Sequence, residues 1–186
     1  MTIETAMRDA EHKMDQALTH MKDDLAGIRT GRAAPAVLNR VTVEYYGTPV
    51  PLNQLAGVTV PEPRLLQVQP FDKSAIGAIE KAIMTSDLGI TPNNDGNVIR
   101  LAFPPLTEER RKEMSKMVHK FAEEARNGLR QVRRDANDRL KKFLKDHAIS
   151  EDDERRALDE VQKATDAHVA TVDEMQKKKD AELLNR

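Results

Sequence analysis

The sequence predicts an α+β protein in which a small mixed domain is inserted into a long three-helix bundle. All nine prolines and six of the eight glycines lie within residues 31–105. Residues 1–30 and 106–186 contain no proline and are rich in charge. Because the helical composition resumes after the insert, we expect one domain built from 1–30 and 105–186, with a second domain, 31–104, between its parts.

The overall composition excludes several classes of protein. Of the 186 residues, 39% are hydrophobic and 33% are charged, which predicts long, solvated helices. The chain has no cysteine, so disulfide frameworks, thiolate nucleophiles and cysteine-ligated metal centres are excluded. No segment approaches the ~18 apolar residues of a membrane span, and the N-terminus has no apolar signal-peptide core. We therefore expect a soluble, cytoplasmic protein.

Three segments carry apolar residues at alternating spacings of three and four, which is the heptad pattern of packed helices. The first stripe covers residues 3–28, and Gly31 is predicted to end that helix as its C-cap. The second helix is predicted over 107–146 with Thr107 as its N-cap, and the third begins at Ser150. The predicted core positions of the second helix are Met114, Met117, Phe121, Ala125, Leu129, Val132, Ala136, Leu140 and Phe143. Since no single helix can bury its own stripe, the three should pack as a bundle.

Within the insert the apolar period changes to two, which is typical of strands. Strands are predicted at 41–46, 58–60, 65–69 and 98–103, with turns at 47–48 and 61–64. A short helix is predicted at about 74–85, with Ser74 as a cap candidate and Ile76, Ile79 and Ile83 on one face. Residues 91–97 predict a cluster of turns.

Charge is distributed unevenly among the three helices. Residues 105–146 contain thirteen basic and eight acidic residues, a net charge of +5, whereas 1–30 carry −2 and 150–186 carry −4. Within the basic helix four arginines occupy positions i, i+4, i+7 and i+8: Arg126, Arg130, Arg133 and Arg134. This spacing places four guanidinium groups along one helical face, and such a row suits phosphate oxygens.

Spacing alone leaves two interpretations of this arginine row. The row either pairs with acidic residues of the neighbouring helices and with Glu123, Asp135 and Asp138, or it forms a nucleic-acid surface. The chain has only two Tyr, four Phe and no Trp, so any nucleic acid would be recognised through its backbone and shape. Arg29 and Arg32 add two positive charges at the first crossing between the predicted domains.

No pattern indicates a catalytic, cofactor or metal site. No two of the five histidines share metal-ligand spacing on one helix, and His168 lies on an apolar stripe as a core or boundary residue. The sequence around Gly27 and Gly31 lacks the lysine of a phosphate-binding loop. The carboxylates follow helix-surface patterns, and an acid/base enzyme would need them perturbed in a cleft. We expect no enzyme activity, no cofactor and no metal.

The two crossings between the predicted domains, 29–32 and 103–106, are short. The first contains Thr30 and Gly31, and the second contains Phe103, Pro104 and Pro105. A proline pair prevents the last strand from running straight into the long helix. The crossings predict either a hinge about which the small domain swings as a rigid body, or an ordinary boundary with a fixed interface.

Several motifs in a fixed order resemble one known family over essentially the whole chain. They are Ile28-Arg29-Thr30-Gly31-Arg32-Ala33, Val43-Glu44-Tyr45-Tyr46-Gly47-Thr48-Pro49, Pro104-Pro105-Leu106-Thr107-Glu108-Glu109-Arg110-Arg111, Val132-Arg133-Arg134-Asp135-Ala136-Asn137 and Ile149-Ser150-Glu151-Asp152. The family they resemble is the bacterial ribosome recycling factor.

This resemblance implies a non-catalytic, two-domain, L-shaped protein with a tRNA-like outline and no membrane association, expected as a monomer. Its partners would be the 70S ribosome, through large-subunit rRNA, and GTP-bound elongation factor G. Together they would split the post-termination ribosome into subunits, leading to release of mRNA and deacylated tRNA. The competing interpretation is a helical-bundle adaptor that binds another protein and does not split ribosomes.

The resemblance also implies roles for particular residues. Arg29, Arg32, Arg130 and Arg133 match the rRNA-contacting arginines of the family, with Arg126 on the same face as a weaker candidate. Arg134 is rotated by about 100° from Arg133, so we expect it to contribute less or to pair within the bundle. Gly31, Pro104 and Pro105 match the hinge of the family.

Overall fold

The computed structural model describes residues 2–184, which form an α+β protein. The helices are α1 (Ile3–Ala26), α2 (Leu52–Leu55), α3 (Ile76–Thr85), α4 (Glu108–Lys145) and α5 (Glu151–Leu184). The strands are β1 (Thr42–Tyr45), β2 (Thr48–Pro51), β3 (Ala56–Glu62), β4 (Leu65–Pro70), β5 (Pro92–Asn94) and β6 (Ile99–Ala102). The described chain divides into two compact units, a helical unit of 2–25 and 115–184 and a mixed unit of 26–114. The predicted fold class is confirmed.

The helical unit is a three-helix bundle. Its core includes Ala10 of α1, Ala136 and Leu140 of α4, and Ala157 and Val161 of α5. All three stripes therefore contribute to one apolar core, as the heptad spacing predicts. No helix within residues 2–184 combines the length and apolarity needed to span a bilayer.

The N-termini of the two long helices are capped as the sequence predicts. The Thr107 hydroxyl accepts a hydrogen bond from the Arg110 amide at 3.2 Å. The Ser150 hydroxyl accepts from the Asp153 amide at 3.1 Å, and the Asp153 carboxylate accepts from the Ser150 amide at 3.4 Å. Each bond satisfies a backbone donor that the helix itself cannot pair, so both caps are confirmed.

Two details of the predicted helices are wrong. Helix α1 ends at Ala26 and not at Gly31, because Gly27 is the next residue and glycine costs about 1 kcal/mol within a helix. On α4, Met117 is exposed and Val118 is buried in its place. A straight helix has 3.6 residues per turn, whereas the heptad pattern assumes 3.5. The buried positions of a straight helix are therefore separated by four residues more often than a strict heptad predicts, and here the position four residues after Met114 is buried.

In the mixed unit a short 3-10 helix over Pro35–Leu38 precedes a hairpin of β1 and β2, in which Tyr45 pairs with Thr48 around a two-residue turn. Strand β2 is absent from the sequence prediction because Pro49 and Pro51 interrupt its pattern. It pairs only with β1, and proline is tolerated on such an edge because no second partner needs its amide.

The second sheet has the strand order β3-β4-β6-β5, with antiparallel neighbours throughout. Strand β5 lies where the sequence predicts only turns, again because a proline, Pro92, begins it. Helix α3 packs on the core of this unit through Ile79 and Ile83, while Ile76 is half-buried. The core side chains contributed by the sheet include Ala56, Leu66, Val68, Ile99 and Leu101.

The predicted cap of the short helix is wrong. Helix α3 begins at Ile76, after a single 3-10 turn over Lys73–Ala75. The cap of that turn is Asp72, whose carboxylate accepts a hydrogen bond from the Ser74 amide at 3.0 Å. Ser74 therefore supplies the donor and not the acceptor.

Candidate nucleic-acid interface

The arginine row lies along α4, beside its buried stripe. Arg126 and Arg130 each follow a buried residue, Ala125 and Leu129 respectively, so their side chains leave the helix at the edge of the core. Arg133 is also half-buried, whereas Arg134 is exposed. A half-buried arginine covers apolar surface with its aliphatic stem and presents its guanidinium group at the rim.

Arg126 is fully engaged inside the helical unit. Its Nε and Nη2 atoms donate to Asp173 Oδ1 of α5 at 3.0 and 2.6 Å. Nη1 donates to Glu123 Oε1 at 2.7 Å, and Nη2 also donates to Gln176 Oε1 at 2.6 Å. Burial alone would lower the pKa of Arg126, but the bonds to Asp173 and Glu123 outweigh it and raise that pKa.

The other three arginines of the row have no carboxylate partner among residues 2–184. Arg130 donates from Nη1 to the neutral amide oxygen of Asn127 at 3.1 Å. Arg133 and Arg134 form no hydrogen bond or ion pair with any described residue. The internal pairing expected for Arg134 is therefore found at Arg126 instead, and Arg130, Arg133 and Arg134 leave a net positive strip on α4.

The two arginines of the first crossing have different surroundings. Arg29 is half-buried and donates from Nη1 to the Leu88 carbonyl oxygen at 3.4 Å. Its Nε atom is buried and has no hydrogen-bond partner within 2–184. Burial lowers the pKa of Arg29, and the nearby charge of Arg110 lowers it further. Arg32 is exposed and has no partner in the described chain.

Phe103 of the second predicted hinge segment and Ala33, the residue after the first, both contact the turn between β3 and β4. The Phe103 amide donates to the Arg64 carbonyl at 2.7 Å, and the Ala33 amide donates to the Pro63 carbonyl at 2.8 Å. Phe103 is buried, whereas Pro104 and Pro105 are exposed. Thr30 precedes Gly31, which has a left-handed backbone with φ of +85°.

The sequence prediction does not include two charged residues that act on these arginines, one a partner and one a like charge. Asp173, the carboxylate that neutralises Arg126, is 47 residues away along the chain. The sequence indicates only that the third helix is acidic. It does not indicate which of its carboxylates pairs with Arg126. Arg110, whose charge acts on Arg29, belongs to the first turn of α4 and carries no distinguishing spacing. The described residues contain no group of three or more His, Cys, Asp or Glu able to hold a metal ion.

Comparisons with known proteins decide the family. The model of the ribosome recycling factor family matches residues 21–184. This chain belongs to the ribosome recycling factor family. Its relatives include the ribosome-recycling factor of Carboxydothermus hydrogenoformans, 57% identical over 183 residues that cover 98% of this chain and 99% of that protein. The ribosome-recycling factor of Shouchella clausii is also 57% identical, over 176 residues that cover 95% of both chains.

Two solved structures share the fold. A solution structure of a ribosome recycling factor aligns with a TM-score of 0.81 at 40% identity, covering 99% of this chain and 98% of that one. A second contains the T. thermophilus ribosome recycling factor and the E. coli elongation factor G bound to the E. coli post-termination complex. It aligns over 100% of both chains with a TM-score of 0.70 at 48% identity. The resemblance seen in the motifs is confirmed, and the family consists of non-catalytic translation factors.

Proposed function

We propose that this ribosome recycling factor acts mechanically, through arginines that hold its helical unit on large-subunit rRNA. Members of this family work with elongation factor G and GTP to split the post-termination 70S ribosome into subunits, which leads to release of mRNA and deacylated tRNA. The chain acts in the cytoplasm as a monomer and makes no covalent change to its substrate. GTP hydrolysis on the partner supplies the work.

One observation carries the residue assignment. Arg130 and Arg133 present guanidinium groups without a carboxylate partner in 2–184, on the helix with the largest positive charge. An arginine already paired to a carboxylate would have to break that pair before it could bind a phosphate. Arginines free of such pairs bind phosphate oxygens in a bidentate manner without that cost. Arg130 and Arg133 are therefore the primary contacts on α4.

Arg29 and Arg32 extend this footprint along the chain. Arg29 has no carboxylate partner among residues 2–184, and its one hydrogen bond there is from Nη1 to the Leu88 carbonyl oxygen at 3.4 Å, so its guanidinium group can bind a backbone phosphate without breaking an ion pair. Arg32 is exposed and unpaired among residues 2–184, so it can reach an rRNA strand without rearrangement.

Arg126 has a different role in this proposal. Its donors already bind Asp173, Glu123 and Gln176, so it fixes α4 against α5 and orients the strip that carries Arg130 and Arg133. We assign it to positioning and not to direct rRNA contact.

The hinge remains part of the proposal. We place the pivots at Thr30 and Gly31 in the first crossing and at Pro104 and Pro105 in the second. Phe103, which is buried and hydrogen-bonded to Arg64, anchors the second crossing. Motion of the inserted residues 31–104 about these pivots would let elongation factor G drive them while the arginines of α4 stay on rRNA.

The first experiment is light scattering of post-termination 70S complexes mixed with this protein, elongation factor G and GTP. We expect a fall in scattering that requires all three additions, since splitting replaces each large particle by two smaller ones. No fall with a factor of verified activity, together with no co-sedimentation with 70S ribosomes, would refute the function.

The residue assignment has its own test in the same assay. Arg133→Ala should weaken 70S binding with its circular dichroism spectrum unchanged. Arg155→Ala is the matched control, because Arg155 is an exposed arginine of α5 already paired with Asp152 at 2.8 Å. Equal affinities of the two variants for 70S ribosomes would remove Arg133 from the interface.

A further inference from the structure

Two arginines of α4 donate hydrogen bonds to residues at the same spacing but of different charge. Arg126 Nη1 donates to Glu123 Oε1 at 2.7 Å, and Arg130 Nη1 donates to Asn127 Oδ1 at 3.1 Å. In both pairs the acceptor precedes the arginine by three residues, and the second pair lies four residues further along the helix. Residues three apart are neighbours on a helix surface, so both contacts are local to α4. The two pairs differ in the charge of the acceptor.

The acceptor decides how much positive charge each arginine presents. The Glu123 carboxylate neutralises Arg126, which Asp173 of α5 also binds at 2.6 Å. The Asn127 amide has no net charge, and Arg130 has no carboxylate partner among residues 2–184. The hydrogen bond from Arg130 to Asn127 therefore orders the guanidinium group without cancelling its charge.

The stability of α4 does not explain the presence of Asn127. The residue is exposed in a helix of 38 residues, and within 2–184 its side chain makes a single hydrogen bond, the one to Arg130. Asn is a poorer helix former than Ala, Glu, Gln or Lys, because its short side chain competes for backbone hydrogen bonds. A residue that weakens the helix and contacts one arginine of the candidate interface indicates a role in arranging that arginine.

A comparison with Arg134 shows that the spacing alone does not order an arginine. Gln131 precedes Arg134 by three residues, but its Nε2 donates to Asp135 Oδ1 at 2.9 Å. Arg134 forms no hydrogen bond with any residue of 2–184. Among the arginines of the row that lack a carboxylate partner in the described chain, Arg130 is therefore the one fixed by a neighbour. Ordering a long side chain before it binds lowers the entropy cost of binding.

We propose that Asn127 is a positioning residue for ribosome binding, whose amide oxygen orients the Arg130 guanidinium group toward an rRNA phosphate and leaves its charge free. The inference rests on the proposed function, in which Arg130 contacts rRNA. One N–H of Arg130 is used by Asn127, and the others remain for phosphate oxygens. A carboxylate at position 127 would instead form the ion pair seen at Arg126, which a phosphate would have to displace.

An isosteric substitution tests the neutral acceptor. Asn127→Asp keeps the shape of the side chain and replaces its amide by a carboxylate. We expect the 70S affinity to fall about fivefold, because Arg130 becomes ion-paired and a negative charge faces the rRNA. The slope of the logarithm of affinity against the logarithm of salt should become shallower by up to about 0.9. Gln16→Glu is the matched control, since it makes the same amide-to-carboxylate change at an exposed position of α1 and should alter both quantities far less.

Two further variants separate positioning from a merely structural role. Asn127→Gln keeps a neutral amide and should restore the parent affinity to within about twofold. Asn127→Ala removes the hydrogen bond, adds no charge and favours the helix, so it should raise the Tm while lowering 70S affinity about twofold at an unchanged salt slope. A lower Tm for Asn127→Ala, with 70S affinity unchanged, would show that Asn127 serves the fold and would overturn the proposal.

A double-mutant cycle tests whether Asn127 acts through Arg130. In the Arg130→Ala background, Asn127→Asp should lose most of its effect on 70S affinity, because no guanidinium group is left to pair. An undiminished effect there would overturn the proposal, as would an Asn127→Asp variant that binds like Gln16→Glu. If Arg130→Ala bound 70S ribosomes like the parent, the assignment of Arg130 to rRNA would fail, and the role of Asn127 with it. A parent protein that does not bind 70S ribosomes would contradict the proposed function itself.

Discussion

His168 Nε2 lies 2.8 Å from Asp15 Oδ1, and this contact joins α5 to α1. The other ring nitrogen, Nδ1, lies 2.7 Å from the Ala164 carbonyl oxygen. A carboxylate and a carbonyl accept hydrogen bonds but cannot donate them, so both contacts are hydrogen bonds when both ring nitrogens carry protons. The geometry therefore favours the imidazolium form of His168. The sequence predicts a core or boundary residue here, and the structure adds the charge.

The charged state of His168 predicts a pH dependence of bundle stability. Burial alone would lower its pKa, but the bonds to Asp15 and Ala164 and the charges of Asp15 and Glu11 raise it above the ordinary 6.5. A raised folded-state pKa gives stability that is complete below about pH 6.5 and is lost as the pH rises through the folded value. The Tm difference between the parent and His168→Gln should therefore be largest near pH 6 and shrink toward pH 9. His12→Gln, at an exposed site of α1, is the control. A Tm difference that stays constant with pH would contradict the imidazolium.

Arg126→Ala is expected to destabilise the bundle. The substitution leaves Asp173 and Glu123 without the Arg126 guanidinium group and removes one of the side-chain links between α4 and α5. We expect the free energy of unfolding in urea to fall by about 1–2 kcal/mol, since both carboxylates remain partly solvated. Arg133→Ala should change it by less than about 0.5 kcal/mol. If Arg133→Ala lowered the free energy of unfolding more than Arg126→Ala does, the ion pairs of Arg126 would contribute nothing to stability.

The salt dependence of ribosome binding measures how many phosphates the protein neutralises. Each arginine that neutralises a phosphate releases counterions, so the logarithm of affinity falls linearly with the logarithm of salt. Replacing Arg130 or Arg133 by alanine should reduce that slope by about 0.7–0.9 for each phosphate that is no longer neutralised. The measurement is 70S affinity over a range of KCl concentrations, with Arg155→Ala as reference. Parallel lines for all the variants would mean that neither arginine neutralises a phosphate.

Gly31→Ala should act through the backbone and not through a clash. The left-handed φ of +85° costs an L-residue about 1–2 kcal/mol, whereas the added Cβ would lie an ordinary 3.6 Å from Leu106 Cγ. We expect the free energy of unfolding to fall by about 1 kcal/mol, and Gly31→Asn to be milder because Asn tolerates this region. Gly77→Ala in α3, with open space around its Cβ, should instead stabilise by roughly 0.5 kcal/mol. If Gly31→Ala and Gly77→Ala both destabilised the protein, the left-handed φ of Gly31 would not be the cause of its effect.

Features that depend only on residues close together in the chain were predicted correctly from the sequence. The three helices follow from their apolar stripes, and the caps at Thr107 and Ser150 follow from hydroxyl groups that precede acidic first turns. The motifs around Arg29, Tyr45 and Arg133 also identified the family that the comparisons confirm.

Where local signals compete, the sequence was insufficient. Gly27 and Gly31 could each end α1, and the structure uses the first. Strands β2 and β5 begin with or contain proline, and only their position at sheet edges makes that acceptable. Edge position is a property of the assembled sheet, so no local pattern reports it.

The tertiary structure decided whether each charged side chain has a partner of opposite charge. Arg126, Arg130 and Arg133 look equivalent along one helix, yet the rotation of α5 brings Asp173 to Arg126 alone. His168 is an ordinary member of an apolar stripe until α1 places Asp15 beside it. The sequence by itself determined which charges are present and on which helix face they lie. Only packing between distant segments decided which of them are neutralised, because Coulomb interactions depend on separation in space and not along the chain.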